Sequence, residues 1–145
     1  MIEKILFKKK LFAIIIRGNY RNKKGVNFFT PNYTTQQVGY MNHKKDHIIK
    51  PHQHKNKLTK NLNTTETILL LKGILRVDFY NQKKKYLFSK VLKEKDIIML
   101  VHGGHGFKVI KDVKMIEIKQ GPYNPINDKT KFDEVDEKKI KIKKL

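Results

Sequence analysis

The stretch Glu66–Tyr80 (ETILLLKGILRVDFY) constrains the fold more than any other part of this sequence. Its β-branched and apolar residues favour a strand, which a single glycine, Gly73, interrupts. Beyond that glycine, Leu75, Val77 and Phe79 alternate with polar or amphipathic residues, the pattern of a strand with one buried face. The sequence therefore predicts a long strand, broken at Gly73 and half-buried in its second part.

Further short runs of strand-forming residues are distributed along the chain, and helical periodicity is scarce. Short strands at intervals of 8–12 residues are typical of a β-sandwich or barrel, so we expect an all-β fold. The polar sequence after Gly121 predicts a loop with a short helix or a frayed tail. The expected strands are Leu11–Arg17, Gln36–Met41, Asp46–Gln53, Tyr86–Leu92 and Ile97–Val101, followed by a last hairpin of Phe107–Ile110 and Lys114–Lys119 around Lys111-Asp112.

Length and the lack of cysteine exclude several classes of protein. A chain of 145 residues fits one domain. Without cysteine there is no disulfide scaffold, thiol nucleophile or cysteine-based zinc site. The longest early apolar run, Leu11–Ile16, is too short for a signal-peptide core or a membrane span. We therefore expect a cytoplasmic protein with no membrane partner.

The formal net charge of +20 suggests nucleic acid at first sight. However, 30 of the 33 basic residues are lysine, whereas base readout and bidentate phosphate binding favour arginine. Abundant lysine, isoleucine and asparagine together are what AT-rich codons produce. We therefore expect no nucleic-acid partner and keep a nucleic-acid-binding basic protein as a remote alternative. The positive electrostatic field that this net charge produces still favours a small anionic ligand over a cationic one.

The six histidines form three pairs, of which two carry the candidate site. His52 and His54 would share one face of a strand, and a distant histidine could complete a metal site with them. His105 is the preferred third histidine, with His102 as its rival, and Glu66 is the natural carboxylate ligand. The remaining pair, His43 and His47, lies on a lysine-rich stretch and is expected to be exposed.

These residues make the chain resemble the cupin superfamily over residues 36–123. The first cupin motif is matched by His52-Gln53-His54 and by Glu66, followed by six residues and Gly73. The second is matched by Lys95-Asp96, a short strand and the HGGHG corner with His105. The resemblance implies one domain over residues 1–145, a double-stranded β-helix (jelly-roll barrel) over 11–123 and a polar C-terminal segment over 124–145. It also implies a divalent transition metal (Fe, Mn, Ni or Zn) on His52, His54, Glu66 and His105.

A narrower resemblance concerns function. The stretch Gly103–Tyr123 looks like a group of small bacterial cupins encoded among genes for cell-surface polysaccharide and nucleotide-sugar synthesis. More distantly, it is similar to cupins that isomerise or epimerise nucleotide-linked keto-sugars with histidine and tyrosine rather than a metal. The resemblance thus implies a metal-binding cupin acting on a small anionic sugar or nucleotide-sugar in cell-surface polysaccharide metabolism, by isomerase- or epimerase-like or by metal-assisted chemistry. A non-catalytic ligand-binding or sensor cupin is the alternative. It also implies a homodimer, for which Leu11–Arg17 is a candidate exchanged edge.

Two further residues are candidates for catalysis. Glu117 shares a strand face with Met115, so both would point into a barrel interior, where a carboxylate must be paired, protonated or catalytic. The alternative for Glu117 is an exterior position beside a lysine. Tyr123 and Tyr40 flank the expected strands, either as proton donors or as packed aromatic residues.

Overall fold

A computed structural model describes residues 1–21, 24–56, 63–121 and 128–144. Over these residues the protein is all-β, and its main sheet curls into half a barrel. No helix in this part of the chain reaches the length and hydropathy that crossing a membrane requires. The strands are β1 (Ile2–Phe7), β2 (Lys10–Ile16), β3 (Gly25–Phe28), β4 (Gly39–Asn42), β5 (Glu66–Tyr80), β6 (Tyr86–Lys93), β7 (Ile97–Leu100) and β8 (Gly104–Lys119), with a 3₁₀ turn at Glu137–Lys139.

The main sheet is antiparallel and is organised around β5. Its strands run in the order β1-β2-β7-β5-β6, and β8 pairs with the other edge of β5. β7 pairs with the first part of β5, from Glu66 to Leu69, and β6 pairs with the last part, from Ile74 to Tyr80. The ribbon formed by β5 and β8 therefore links the strands β1, β2 and β7 to strand β6. Strands β3 and β4 form a separate two-stranded sheet.

The β5–β8 ribbon bends back on itself at Gly73. A straight strand of 15 residues would span roughly 50 Å. Nevertheless, Glu66 at its start contacts His105, whose partner in the ladder is Phe79 near its end. Gly73 has φ +95°, and a Cβ added there would lie 2.0 Å from the carbonyl oxygen of Asp112. Only glycine fits at position 73, because the backbone there is left-handed and lies in close contact with the opposite strand.

Strand β2 is buried on both faces. Every residue from Leu11 to Ile16 is buried, because Ala13 and Ile15 join the core inside the curled sheet while Ile14 and Ile16 pack outward. The outward cluster is covered by Phe29 and by residues of the small β3–β4 sheet. An uninterrupted apolar run is the expected sequence for a strand covered in this way.

A buried charged cluster fixes the C-terminal segment to the sheet. Arg76 donates to the carboxylate of Asp78 at 2.8 and 3.1 Å and to that of Glu137 at 2.7 and 2.9 Å. Asp78 also accepts from Ser89, whose backbone bonds to both Lys141 and Lys143. These bonds raise the pKa of Arg76 and lower that of Glu137. The segment 128–144 is therefore part of the fold.

Several expectations from the sequence are wrong. Residues 46–53 form no strand, and the expected last hairpin is one continuous strand, β8. Lys111 and Asp112 resemble a turn in sequence, but they lie where β8 bends past Gly73. Two strands, β1 and β3, were not expected.

Candidate functional site

The two arms of the bent ribbon enclose a cleft of about 650 Å³, here called the ribbon cleft. One arm contributes residues from the start of β5 and the end of β8, and the other contributes residues from the HGGHG corner. Residues 129–134 form the remaining wall. The side chains that matter below are Glu66, Tyr80, His105, Phe107, Met115 and Glu117, with Lys129 and Phe132 from the wall.

A carboxylate–imidazole pair spans the ribbon cleft. Nε2 of His105 lies 2.8 Å from Oε2 of Glu66, and the side chains are 27% and 15% exposed. The hydrogen bond to His105 is the main cause that lowers the pKa of Glu66, against the opposing effect of burial. The positive charges of Lys119 and Lys129 lower it further. Glu66 is therefore ionised at neutral pH and oriented toward His105.

Glu117 lies in the same cleft as Glu66, His105 and Met115, as the shared strand face of Glu117 and Met115 predicts. Its ladder partner is the buried Ile68, yet Glu117 itself is exposed, because the outer edge of β8 has no partner strand among the described residues. Glu117 thus offers a second, solvated carboxylate at the cleft.

Tyr80 is a cleft residue that was not predicted as a candidate. Its oxygen accepts the backbone N–H of Val135 at 3.1 Å, and its ring packs edge-on against Phe132 at 5.0 Å. Burial raises its pKa, so the hydroxyl keeps its proton and can donate it to a ligand. The sequence does contain a signal for Tyr80, because the alternation along β5 places it on the same strand face as Arg76 and Asp78. Tyr123, which the sequence makes a candidate for catalysis, lies outside the described residues, and Tyr40 packs against Tyr20 at 5.3 Å.

The predicted metal ligands lie in two different places. Glu66 and His105 face the ribbon cleft, whereas His52 and His54 are exposed on the segment before residue 57. The rings of His52 and His54 contact each other edge-on at 5.2 Å, and Nδ1 of His52 is 3.0 Å from the carbonyl oxygen of Lys50. Among the described residues, no three His, Asp or Glu side chains are grouped so as to hold a metal ion. The four predicted ligands are therefore not brought together in this arrangement.

The other histidines are separate from this pair. His102 contacts the ring of Phe12 edge-on at 5.4 Å and does not line the ribbon cleft. His43 and His47 stack face to face at 4.2 Å, with His47 exposed and His43 partly buried. His105 is thus the member of the HGGHG corner that faces Glu66.

Compared with known proteins, the chain matches no family model, no curated protein and no solved structure. Any assignment of function consequently depends on the chemistry of the ribbon cleft.

Proposed function

We propose that the protein is a cupin-type barrel that moves a proton next to the carbonyl of a small anionic sugar or nucleotide-sugar. The contact between Glu66 and His105 carries this proposal. It resembles the paired acid–base groups of isomerases and epimerases, in which a carboxylate orients an imidazole for proton transfer. No metal ion is needed for that reaction.

His105 is the proposed general base. When Nε2–H donates to the carboxylate of Glu66, Nδ1 is left without a proton and can accept one from a carbon acid. The carboxylate then stabilises the imidazolium that forms, as in other dyads of this type. Glu66 acts on the substrate only through His105, so it is a positioning residue.

A proton donor for the substrate oxygen is the second requirement. Removal of a proton beside a carbonyl places negative charge on the carbonyl oxygen, which a nearby donor stabilises. The hydroxyl of Tyr80 meets this need, because its own oxygen already accepts from Val135 and its proton is retained. Tyr123 stays a further candidate for the same role.

Charge and apolar surface support an anionic sugar as the ligand. Lys129 and Lys131 lie in the wall of the cleft, and the chain carries a net charge of +20. Phe107, Met115 and Phe132 provide apolar surface for a sugar ring face.

The test is exchange of substrate C–H protons with deuterium oxide, followed by NMR, for a panel of nucleotide-linked keto-sugars. We expect exchange with the wild type, a loss of at least about 100-fold in His105→Gln and a smaller loss in Glu66→Gln. His102→Gln is the matched control and should exchange normally.

Two results would contradict the proposal. Binding without exchange for every sugar would favour the ligand-binding or sensor alternative. Exchange that a chelator abolishes, that returns with Fe, Mn, Ni or Zn, and that His52→Ala prevents would favour the metal site predicted from His52, His54, Glu66 and His105.

A further inference from the structure

A second cleft, of about 360 Å³, lies on the other side of the HGGHG corner. It is called the basic cleft here. His102 lines it, whereas His105 lines the ribbon cleft. The corner turns at Gly103, which has φ +79° and whose added Cβ would lie 2.3 Å from the ring of Phe12. This close approach directs the two histidines into separate cavities.

The fold brings two lysine triplets together at the basic cleft. The triplets are Lys8–Lys10, in the β1–β2 turn, and Lys83–Lys85, in the β5–β6 turn. Two lysines from each line the cavity: Lys8 and Lys10 from the first, Lys83 and Lys85 from the second. No acidic side chain among the described residues lines it. The four side chains are exposed, so water and salt screen much of their mutual repulsion, and an anion in the cavity would lower what remains.

The backbone of the first turn makes lysine unexpected at Lys8, which lines the cleft, and at its neighbour Lys9, which does not. Phe7 pairs with Lys10, and the two residues between them have φ 49° (Lys8) and 62° (Lys9). A two-residue turn with both φ values positive strongly favours asparagine and glycine, because a lysine side chain is strained there. Asparagine codons are as rich in A and T as lysine codons. Codon bias therefore accounts for the lysine content of the chain without explaining lysine at these two positions.

The second turn is equally well defined. The side-chain oxygen of Asn81 accepts the backbone N–H groups of Lys83 and Lys85 at 2.9 and 3.0 Å, and Lys84 also has a left-handed backbone, with φ 59°. The positions from which the lysine side chains project are thus fixed before any ligand arrives. A backbone fixed in this way lowers the ordering cost of binding an anion, although the exposed lysine side chains still have to be ordered.

We propose that the basic cleft binds the phosphate groups of a small phosphorylated ligand, with His102 as an additional donor. Arginine binds phosphate bidentately, but lysine is also a common phosphate ligand, because its ammonium is a compact point charge that needs no fixed geometry. Two opposed pairs of lysines, Lys8 with Lys10 and Lys83 with Lys85, fit a diphosphate better than a single charge. This site is independent of the acid–base function proposed for the ribbon cleft.

The test is isothermal titration of the purified full chain at 150 mM salt, with inorganic pyrophosphate and uridine diphosphate as probes. The key variant is Lys8→Asn with Lys9→Asn, because asparagine suits the turn. We expect this variant to unfold at the same temperature as the wild type or higher, and to bind both probes at least about tenfold more weakly. Lys83→Gln with Lys85→Gln should show a similar loss.

The control is Lys44→Asn with Lys45→Asn, which removes the same charge from exposed positions outside the cleft. It should bind both probes as the wild type does. An equal loss in the control would mean that only net charge attracts the probes, and would overturn the proposal. So would wild-type protein that binds neither probe, or a turn variant with unchanged affinity. Equal affinity for both probes indicates recognition of phosphate alone, and tighter uridine diphosphate indicates an added contact with the nucleoside; both support the site.

Discussion

The carboxylate of Glu66 lies 2.8 Å from the imidazole of His105, although β5 begins with the first residue and the second is paired with Phe79 near the end of that strand. The contact exists because the β5–β8 ribbon bends. The distance between Glu66 and His105 therefore depends on the bend at Gly73, and a change at that glycine should also change the site.

The pair should make stability depend on pH. Because the pKa of Glu66 is below its ordinary value of 4.5, its stabilising contribution is complete above that value and is lost as pH falls through the lowered pKa. Glu66→Gln should thus lower the unfolding temperature at pH 7 and differ little from the wild type near pH 3. Glu94→Gln, an exposed position in a 3.9 Å pair with Lys95, should have little effect at either pH. A Glu66→Gln deficit that stays constant from pH 3 to 7 would contradict the linkage.

The corner at Gly73 should tolerate no side chain. Gly73→Ala should cost more than about 3 kcal/mol in denaturant unfolding, since the added carbon collides with the Asp112 carbonyl. Gly25→Ala is a matched control, because Gly25 also has a left-handed backbone (φ +90°) but open space around its Cβ position. It should cost about 1 kcal/mol. Similar losses for the two variants would show that backbone conformation alone sets the cost.

The link between the sheet and the C-terminal segment should depend on Arg76. Arg76→Met leaves the buried carboxylate of Asp78 without its ion-pair partner and should cost about 3 kcal/mol in urea unfolding. It should also make residues 128–144 more sensitive to limited proteolysis. Glu137→Gln, which changes an exposed partner, should have a much smaller effect on unfolding. Unchanged proteolysis in Arg76→Met would argue against this anchoring role.

Removal of the Tyr80 hydroxyl should lower both the stability of the cleft wall and the rate of proton exchange on the substrate. Tyr80→Phe deprives the Val135 N–H of its acceptor, and we expect a loss of about 1 kcal/mol in thermal unfolding. Proton exchange on the substrate should fall with it, by a larger factor in rate than in substrate affinity. Tyr33→Phe, at a residue that is 76% exposed, should change neither quantity. Normal exchange in Tyr80→Phe would leave the proton-donor role to another residue.

Local pattern predicted much of the fold. The strands near residues 10–16, 86–93 and 97–100 follow from apolar runs bounded by polar turns. The last hairpin was mispredicted because Lys111 and Asp112 look like turn residues, while their actual surroundings depend on Gly73 in another strand. β1 was not recognised since charged residues interrupt its apolar positions.

The candidate site was predictable to a similar extent. Alternation correctly groups Glu117 with Met115, because both are on one regular strand. The same rule groups His52 with His54 only if their segment is a strand, and in this structure it is not. The contribution of residues 129–134 to the cleft has no local signal, since it depends on contacts with residues distant in sequence, namely Lys119 with Asp128 and Tyr80 with Phe132.

The complete burial of β2 has a consequence for biosynthesis. Its six consecutive apolar residues leave the ribosome before the strands that cover them, which are β4 on one face and β7 along one edge. During that interval the nascent chain exposes a short, uncharged β-forming segment of the kind that associates with other chains. Yield in the cell should accordingly respond more to translation rate and chaperone supply than the stability of the finished protein would suggest.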